Sequence, residues 1–382
     1  MNFAFLKRLP RSGYLGFLFF FAGATFLAHA ITTRFVNPIE YISSKFDETP
    51  VPSVEHIKPP EVVRGIYMTS WVAGTKDWRA ELIDFIEKSE LNAVVIDVKD
   101  YTGRISFEVG DEKLNALEYS EKRIPDVKTF ISELHRKNIY VIGRISVFQD
   151  PHLAKKRPNL ALKRKSGEVW KDRKGLSWVD PASLEVWDLT VRIGKEAEAA
   201  GFDELNFDYI RFPSDGSIDD IVYPFWDGKT PKSEIMKNFF AHLDFEFDVL
   251  KVPISADIFG LTTWNTDDLN IGQVLEDALG YFDYVSPMVY PSHYPPTFQG
   301  YKNPAEHPYE IIKTALTRAR EREFAMASST STKLRPWLQD FDLGANYDAA
   351  MVKLEQQAVY DAGLSSWLSW DPANRYTREA YP

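Results

Sequence analysis

The sequence predicts an α/β fold, a (β/α)8 barrel preceded by an N-terminal hydrophobic export or anchor segment. Three observations carry that reading. After Glu61, short β-branched runs alternate eight times with stretches of helical period, the pattern of βα units on a parallel sheet. The span of about 320 residues suits a barrel that typically takes roughly 250 residues and grows by insertions. Ahead of it, an apolar run from Tyr14 to Ile31 contains no charge and follows Lys7, Arg8 and Arg11.

The N-terminal run has two readings. At roughly 18 to 20 residues it is long enough to span a bilayer as an anchor; alternatively, Ala28-His29-Ala30 fits the small-residue pattern of a signal cut after Ala30. In both cases the basic flank keeps the N-terminus in the cytoplasm and places the bulk of the chain outside the cytoplasmic membrane, either single-pass or secreted. The expected organisation is therefore 1–31 signal or anchor, 32–60 linker with five prolines, and 61–382 barrel.

The strand candidates are Val63–Trp71, Ala93–Lys99, Tyr140–Val147, Glu204–Ile210, Pro253–Phe259, Tyr284–Tyr290, Leu334–Phe341 and Ser365–Trp370, the seventh weakened by Pro336. Between them the helical patterns are 78–89, 127–137, 184–200, 234–250, 271–281, 309–323 and 347–362, with Asp77 and Ser183 as caps. A doubly wound nucleotide-binding sheet is the alternative. It has little support, because Thr69-Ser70-Trp71 stands where a Gly-rich phosphate loop would follow the first strand.

Composition narrows the function. The net charge of -10 argues against a nucleic-acid partner. No cysteine is present, which removes thiolate nucleophiles and Cys-type zinc sites. The histidines form no H-x-H or H-E-x-x-H, and no G-x-S-x-G occurs, so neither a zinc hydrolase nor an esterase is expected, and no cofactor or metal is called for. Aromatic residues reach 14%, a supply of flat faces that pack cores and stack on sugar rings.

The candidate site follows from strand alternation. In FDELNFDYIRFP, Asn206 and Asp208 share one face while Phe207 and Tyr209 face the helices; in ISADIFG, Asp257 reaches the same height on the next strand. Chemistry in such barrels sits at the C-terminal strand ends. Two carboxylates there meet the need of glycoside hydrolysis for one group at the anomeric carbon and one at the leaving oxygen, about 5 to 5.5 Å apart when configuration is retained. Asp208 and Asp257 are the catalytic candidates. Structural ion pairs are the competing reading, and for Arg211 the competing partners are Glu204 and Asp215.

Tyr67, Trp71, Asp97, Lys99, Asn206, Arg211, Tyr290, His293, Gln339, Trp370 and Asp371 are the candidate substrate-binding residues, Asp97 and Lys99 on one strand face. The segment from Gln149 to Trp187 is long for a βα loop and carries nine Lys and Arg with Trp170 and Trp178 among them, so it reads as a lid for an acidic polymer or as a solvated loop.

RGIYMTSW, VVIDVKDYTGRISF, WVDP, FDELNFDYIRFP and VSPMVYPSHY, in this order, resemble a bacterial family of extracytoplasmic domains classed with the glycosyl hydrolases and similar to glycosidase-like TIM barrels. The resemblance runs from about Glu61 to the C-terminus, and FDYIRFPSDG is its most specific piece. By similarity to retaining α-glycosidase barrels, it implies Asp208 as nucleophile. Barrels of the α-amylase type place a Glu acid/base after the fifth strand and an Arg two residues before the nucleophile; the corresponding residues here are Asp257 and Asn206. The expectation is a glycoside hydrolase on an extracytoplasmic polysaccharide, tethered to the membrane or secreted. The rival is a non-catalytic carbohydrate-binding or cell-envelope scaffold protein. A third possibility is a lyase or transglycosylase.

Overall fold

A computed structural model describes residues 55–250, 252–326 and 332–382. The N-terminal signal or anchor, and the linker up to residue 54, lie outside the described residues. Eight strands close into one parallel barrel: β1 (Arg64–Met68), β2 (Ala93–Lys99), β3 (Tyr140–Ser146), β4 (Glu204–Asp208), β5 (Ile254–Phe259), β6 (Tyr284–Met288), β7 (Trp337–Gln339) and β8 (Trp367–Trp370), with β8 pairing back onto β1. Between consecutive strands run α1 (Lys76–Glu87), α2 (Val127–Arg136), α3 (Leu184–Ala200), α4 (Lys232–Phe247), α5 (Leu275–Tyr281), α6 (Pro308–Met326) and α7 (Ala349–Asp361).

The alternation of side chains sorts the core into two layers. Val94, Ile96, Val141, Leu205, Phe207 and Ala256 point outward and pack under the helices, with Phe207 against Phe247 and Phe282. Ala93, Val95, Tyr140, Ile142 and Leu368 fill the barrel interior. Each large apolar side chain so buried contributes about 1.5–3 kcal/mol. Gly143 faces the outer layer beside Arg144, and a Cβ there would meet Phe202 and Val98 at 2.9 Å, so β3 needs glycine to lie this close to the chain leading into β4. Gly201, at φ 114°, ends α3 and turns the chain toward β4.

Several strands are shorter than expected, and β7, β2 and β4 depart for evident local reasons. β7 keeps only Trp337–Gln339, because Pro336 lacks the N–H that would continue the ladder, and Leu334 touches β6 through an isolated bridge to Val285. β2 slips register between Asp97 and Lys99, which breaks the two-residue period. β4 stops at Asp208, because Tyr209 takes φ 54°, a left-handed conformation uncommon for an aromatic residue. The caps differ too: Thr75 precedes α1 and Asp77 lies in its first turn, while Ser183 precedes α3 without a side-chain capping bond.

The long segment after β3 is ordered by the segment after β4. Lys163–Arg164 pairs antiparallel with Ile221–Val222, Trp170 Nε1 donates to Ser217 O at 3.0 Å, and Asp180 Oδ2 accepts from the backbone N–H groups of Phe225 and Trp226. Trp170 and Trp178 are buried in this layer, so they form the core of the insertion rather than an exposed aromatic surface. Several of its cations are tied to acids, Arg157 to Glu185 and Arg164 to Asp220 among them.

Candidate active site

A cavity of about 470 Å³ opens at the C-terminal ends of the strands, lined by residues of β3 to β8 and of the two long segments. Its floor is set by β3, β4 and β5. Arg144, midway along the otherwise apolar run YVIGRIS, projects into the barrel and divides its guanidinium between two acids. Nε and Nη2 donate to Asp208 Oδ2 at 3.1 and 2.5 Å, and Nη1 donates to Asp97 Oδ1 at 2.7 Å. The rings of Trp370 and Tyr67 lie 5.0 and 5.6 Å from its Cζ and hold its plane. The neighbouring acids raise its affinity for the proton against the cost of burial.

Asp208 is an acceptor on both oxygens, since Oδ1 takes the Tyr209 N–H at 2.6 Å. Three N–H donors therefore converge on it, the bonding pattern of a carboxylate. Asp257 differs. It is 1% exposed, and its pKa is pushed up to about 8 by burial first and by the Asp208 charge second, against the pull of Arg144. Its Oδ1 accepts from Trp337 Nε1 at 2.7 Å and Asn206 Nδ2 at 2.9 Å, which leaves Oδ2 for a proton. Arg144 Nε lies 3.9 Å from that oxygen, so Asp208 Oδ2 and Asp257 Oδ2 are no more than about 7 Å apart, the sum of the two distances to Nε. This bound lies within the carboxyl separations of about 5 to 9.5 Å known for glycoside hydrolysis.

A hydrogen-bonded column supports the pair from below. Glu204 pairs with Arg335 and accepts from Tyr140 Oη at 3.0 Å and Ser255 Oγ at 2.6 Å; Asn206 Nδ2 donates to Ser255 Oγ at 3.1 Å and to Asp257 above. Asn206 is thus a support under Asp257, not a cavity residue. Glu204 is committed to Arg335, and Asp215 accepts the Arg173 N–H, so neither forms an ion pair with Arg211.

Among the sequence candidates, Asp208, Asp257, Arg211, Tyr290, His293 and Trp370 line the cavity. Tyr67 and Asp97 stand one layer behind Arg144, the phenol donating to Asp97 at 2.5 Å; burial first and the Asp100 charge raise Asp97 to about 6, although Arg144 opposes them. Lys99 is turned away by the register slip and pairs with Asp150 at 2.8 Å, so it does not share a face with Asp97. Trp71 is 51% exposed and packs on Arg123 outside the cavity. Gln339 accepts from Ser292 Oγ at 2.7 Å and anchors the loop that carries His293. Asp371 accepts the Ala373 N–H in its own turn. Tyr209, expected under the helices, lines the cavity because its left-handed backbone swings the ring there, edge-on to Trp178.

Arg144 is the functional residue that strand alternation alone passed over, though its signal was present as a lone charge in a buried strand. The walls from Gln149, Asp172 and Ser214 depend on contacts between two loops and have no local signature. Among the described residues no group of three or more His, Asp or Glu side chains is placed to hold a metal ion.

The family model described as "Putative glycosyl hydrolase domain" matches residues 65–376, from β1 to Tyr376, whose hydroxyl donates back to Tyr67 O. The chain belongs to that family. No curated protein matches the chain. Among solved structures, a hypothetical protein from Ruminiclostridium thermocellum is 32% identical over 54% of this chain and 98% of its own, with a TM-score of 0.46. The PgaB (BpsB) glycoside hydrolase domain from Bordetella bronchiseptica is 15% identical over 84% of this chain and 98% of its own, with a TM-score of 0.59. The catalytic domain of β-amylase from Paenibacillus polymyxa is 10% identical over 84% and 96%, with a TM-score of 0.50. At these identities the last two likenesses concern the barrel fold of this family member.

Proposed function

We propose that the barrel is a glycoside hydrolase that cleaves a polysaccharide or oligosaccharide with retention of configuration. The observation that carries this is the division of labour between two adjacent acids: Asp208 surrounded by N–H donors, and Asp257 buried and raised to about 8. Asp208 attacks the anomeric carbon while the Asp257 proton passes to the leaving oxygen, breaking the glycosidic bond. A water that returns its proton to Asp257 then cleaves the glycosyl ester. Trp370, Tyr290 and Tyr209 offer flat faces to the sugar rings. Membership of the family supports this reading, as does the position of both acids at the C-terminal strand ends.

The N-terminal charge and apolar run support an activity outside the cytoplasmic membrane, with the chain anchored or released. The test is Asp208→Asn. Hydrolysis should fall below detection while the thermal transition stays within a few degrees of the native chain; retained turnover would sink the assignment. Selective glycan binding without turnover in the native chain would instead favour the carbohydrate-binding scaffold.

A further inference from the structure

Three residues beyond Asp208, the chain buries a second guanidinium that the proposed chemistry leaves unused. Arg211 is 8% exposed and lines the cavity. Seven Arg and Lys side chains are buried among the described residues, and six of them are paired with an acid. Arg211 alone has no carboxylate within ion-pair distance. Holding an unpaired charge out of water is unfavourable, and an arriving anion would relieve that cost.

The surroundings shape what that anion can be. Phe259, Trp178 and Tyr209 ring centroids lie 4.6, 4.9 and 5.4 Å from the Arg211 Cζ, which makes a flat, poorly hydrated bed. Nη1 donates to Phe212 O and Ser214 Oγ, each at 3.1 Å. Among the described residues Nε and Nη2 have no partner, and this edge of the fork presents two parallel donors, the match for a planar carboxylate. None of the cavity acids, Asp215 included, lies within ion-pair distance of it, and Asp215 Oδ1 already accepts the Arg173 N–H. Asp172 is saturated by Gln149, Trp178 and two backbone N–H groups, Asp208 is held by Arg144, and Asp257 carries a proton. Lys174 stands exposed at the mouth, where loss of hydration first and its charge second depress the proton affinity of His293.

We propose that Arg211 receives a carboxylate of the glycan, so that the substrate is an acidic polysaccharide with a uronic acid in the Arg211 subsite. This rests on the glycosidase reading for the word substrate, but binding tests it separately. Oligoglucuronate, oligogalacturonate and oligomannuronate are titrated against the full chain carrying Asp208→Asn, beside the same oligosaccharides with their carboxyls reduced to alcohols. At least one acidic member should bind about tenfold or more tighter than its reduced form. Arg211→Gln in the same background should remove that preference and leave the reduced form within about twofold. Lys174→Ala should weaken both by less. If Arg211→Gln does not fold, Arg211→Lys carries the test, since a point charge without the fork should lose most of the preference. Equal binding of acidic and reduced forms, a preference that survives loss of Arg211, or no binding of any acidic member overturns the proposal. Selective binding by a native chain that hydrolyses no member would overturn the glycosidase reading and leave the subsite standing.

Discussion

Arg144 donates from Nε and Nη2 to one oxygen of Asp208, across the β3–β4 pairing in which Ser146, not Arg144, stands opposite Asp208. The guanidinium therefore reaches diagonally toward the strand end. In α-amylase-type barrels the resemblance places the supporting Arg on the nucleophile's own strand; here Asn206 holds that position and the cation comes from β3. The consequence is electrostatic. One cation faces Asp97 and Asp208 directly and Asp257 at 3.9 Å, so the charge balance of the whole floor depends on it.

Replacing Arg144 should therefore damage both fold and chemistry. Arg144→Met leaves buried acids without their cation, and breaking such a network typically costs about 3–5 kcal/mol. Urea titration should show the loss as a lower midpoint, with hydrolysis reduced at least about 100-fold. Arg144→Lys should recover part of the stability but little activity, because a point charge cannot divide between two carboxylates. Native-like turnover in Arg144→Met would remove Arg144 from the site.

The pH dependence has a definite sign. Asp257 must be protonated to act as an acid, and its pKa is raised to about 8, so kcat/KM should fall as pH rises through that value. Asp257→Asn should abolish the alkaline limb, with turnover surviving best on substrates with good leaving groups. Stability moves the same way. The folded chain holds this proton where the unfolded chain has released it, so stability declines as pH rises from about 4 toward 8. An alkaline limb that persists in Asp257→Asn would assign the acid to another group.

Below the site, Glu204 and Arg335 form an ion pair inside the barrel, with Arg335 1% exposed. Glu204→Gln should cost about 3–5 kcal/mol by leaving that guanidinium uncompensated, read as a lower thermal and urea midpoint. Because Glu204 supports Asp257 through Ser255 and Asn206, the alkaline limb should shift as well. A variant of native stability would show that Tyr140 and Ser255 can carry the interior without this pair.

Much of this was legible in the chain because barrel strands follow a local rule. Ala93–Lys99 and Leu184–Ala200 coincide with their expected bounds, and alternation brings Asp208 and Asp257 to one rim. The failures lie where that rule is broken by something non-local. Lys99 leaves its expected face through a register slip, Tyr209 through a left-handed backbone, and β7 shortens at Pro336. The wall built by the segment after β4 depends on pairing with residues far earlier in the chain, 56 positions for Arg164 with Asp220, and no short window of sequence contains both partners. Residues 55–60 fall in the expected linker, yet Ile57 is tied to the barrel, because the acid that holds it belongs to the turn before β4.

That tie supplies a last prediction. At the end of the barrel opposite the cavity, Asp203 Oδ1 accepts the Ile57 N–H at 2.8 Å and lies 3.8 Å from His56, while Oδ2 accepts the Val141 N–H and bonds His135. The Asp203 carboxylate 3.8 Å away raises the proton affinity of His56 against the cost of partial burial, with Glu198 3.3 Å away adding to it. A histidine raised in this way contributes its full stabilisation below its unfolded value of about 6.5 and loses it as pH rises through the raised folded value. Protection of the Ile57 amide against hydrogen exchange, corrected for intrinsic rate, should therefore be high near about pH 5 and fall by about pH 9. His56→Ala should remove most of that pH dependence, whereas the amides of β4 should exchange alike in both chains. Equal protection of Ile57 at both pH values in the native chain would show that the N–H to Asp203 bond alone holds the segment.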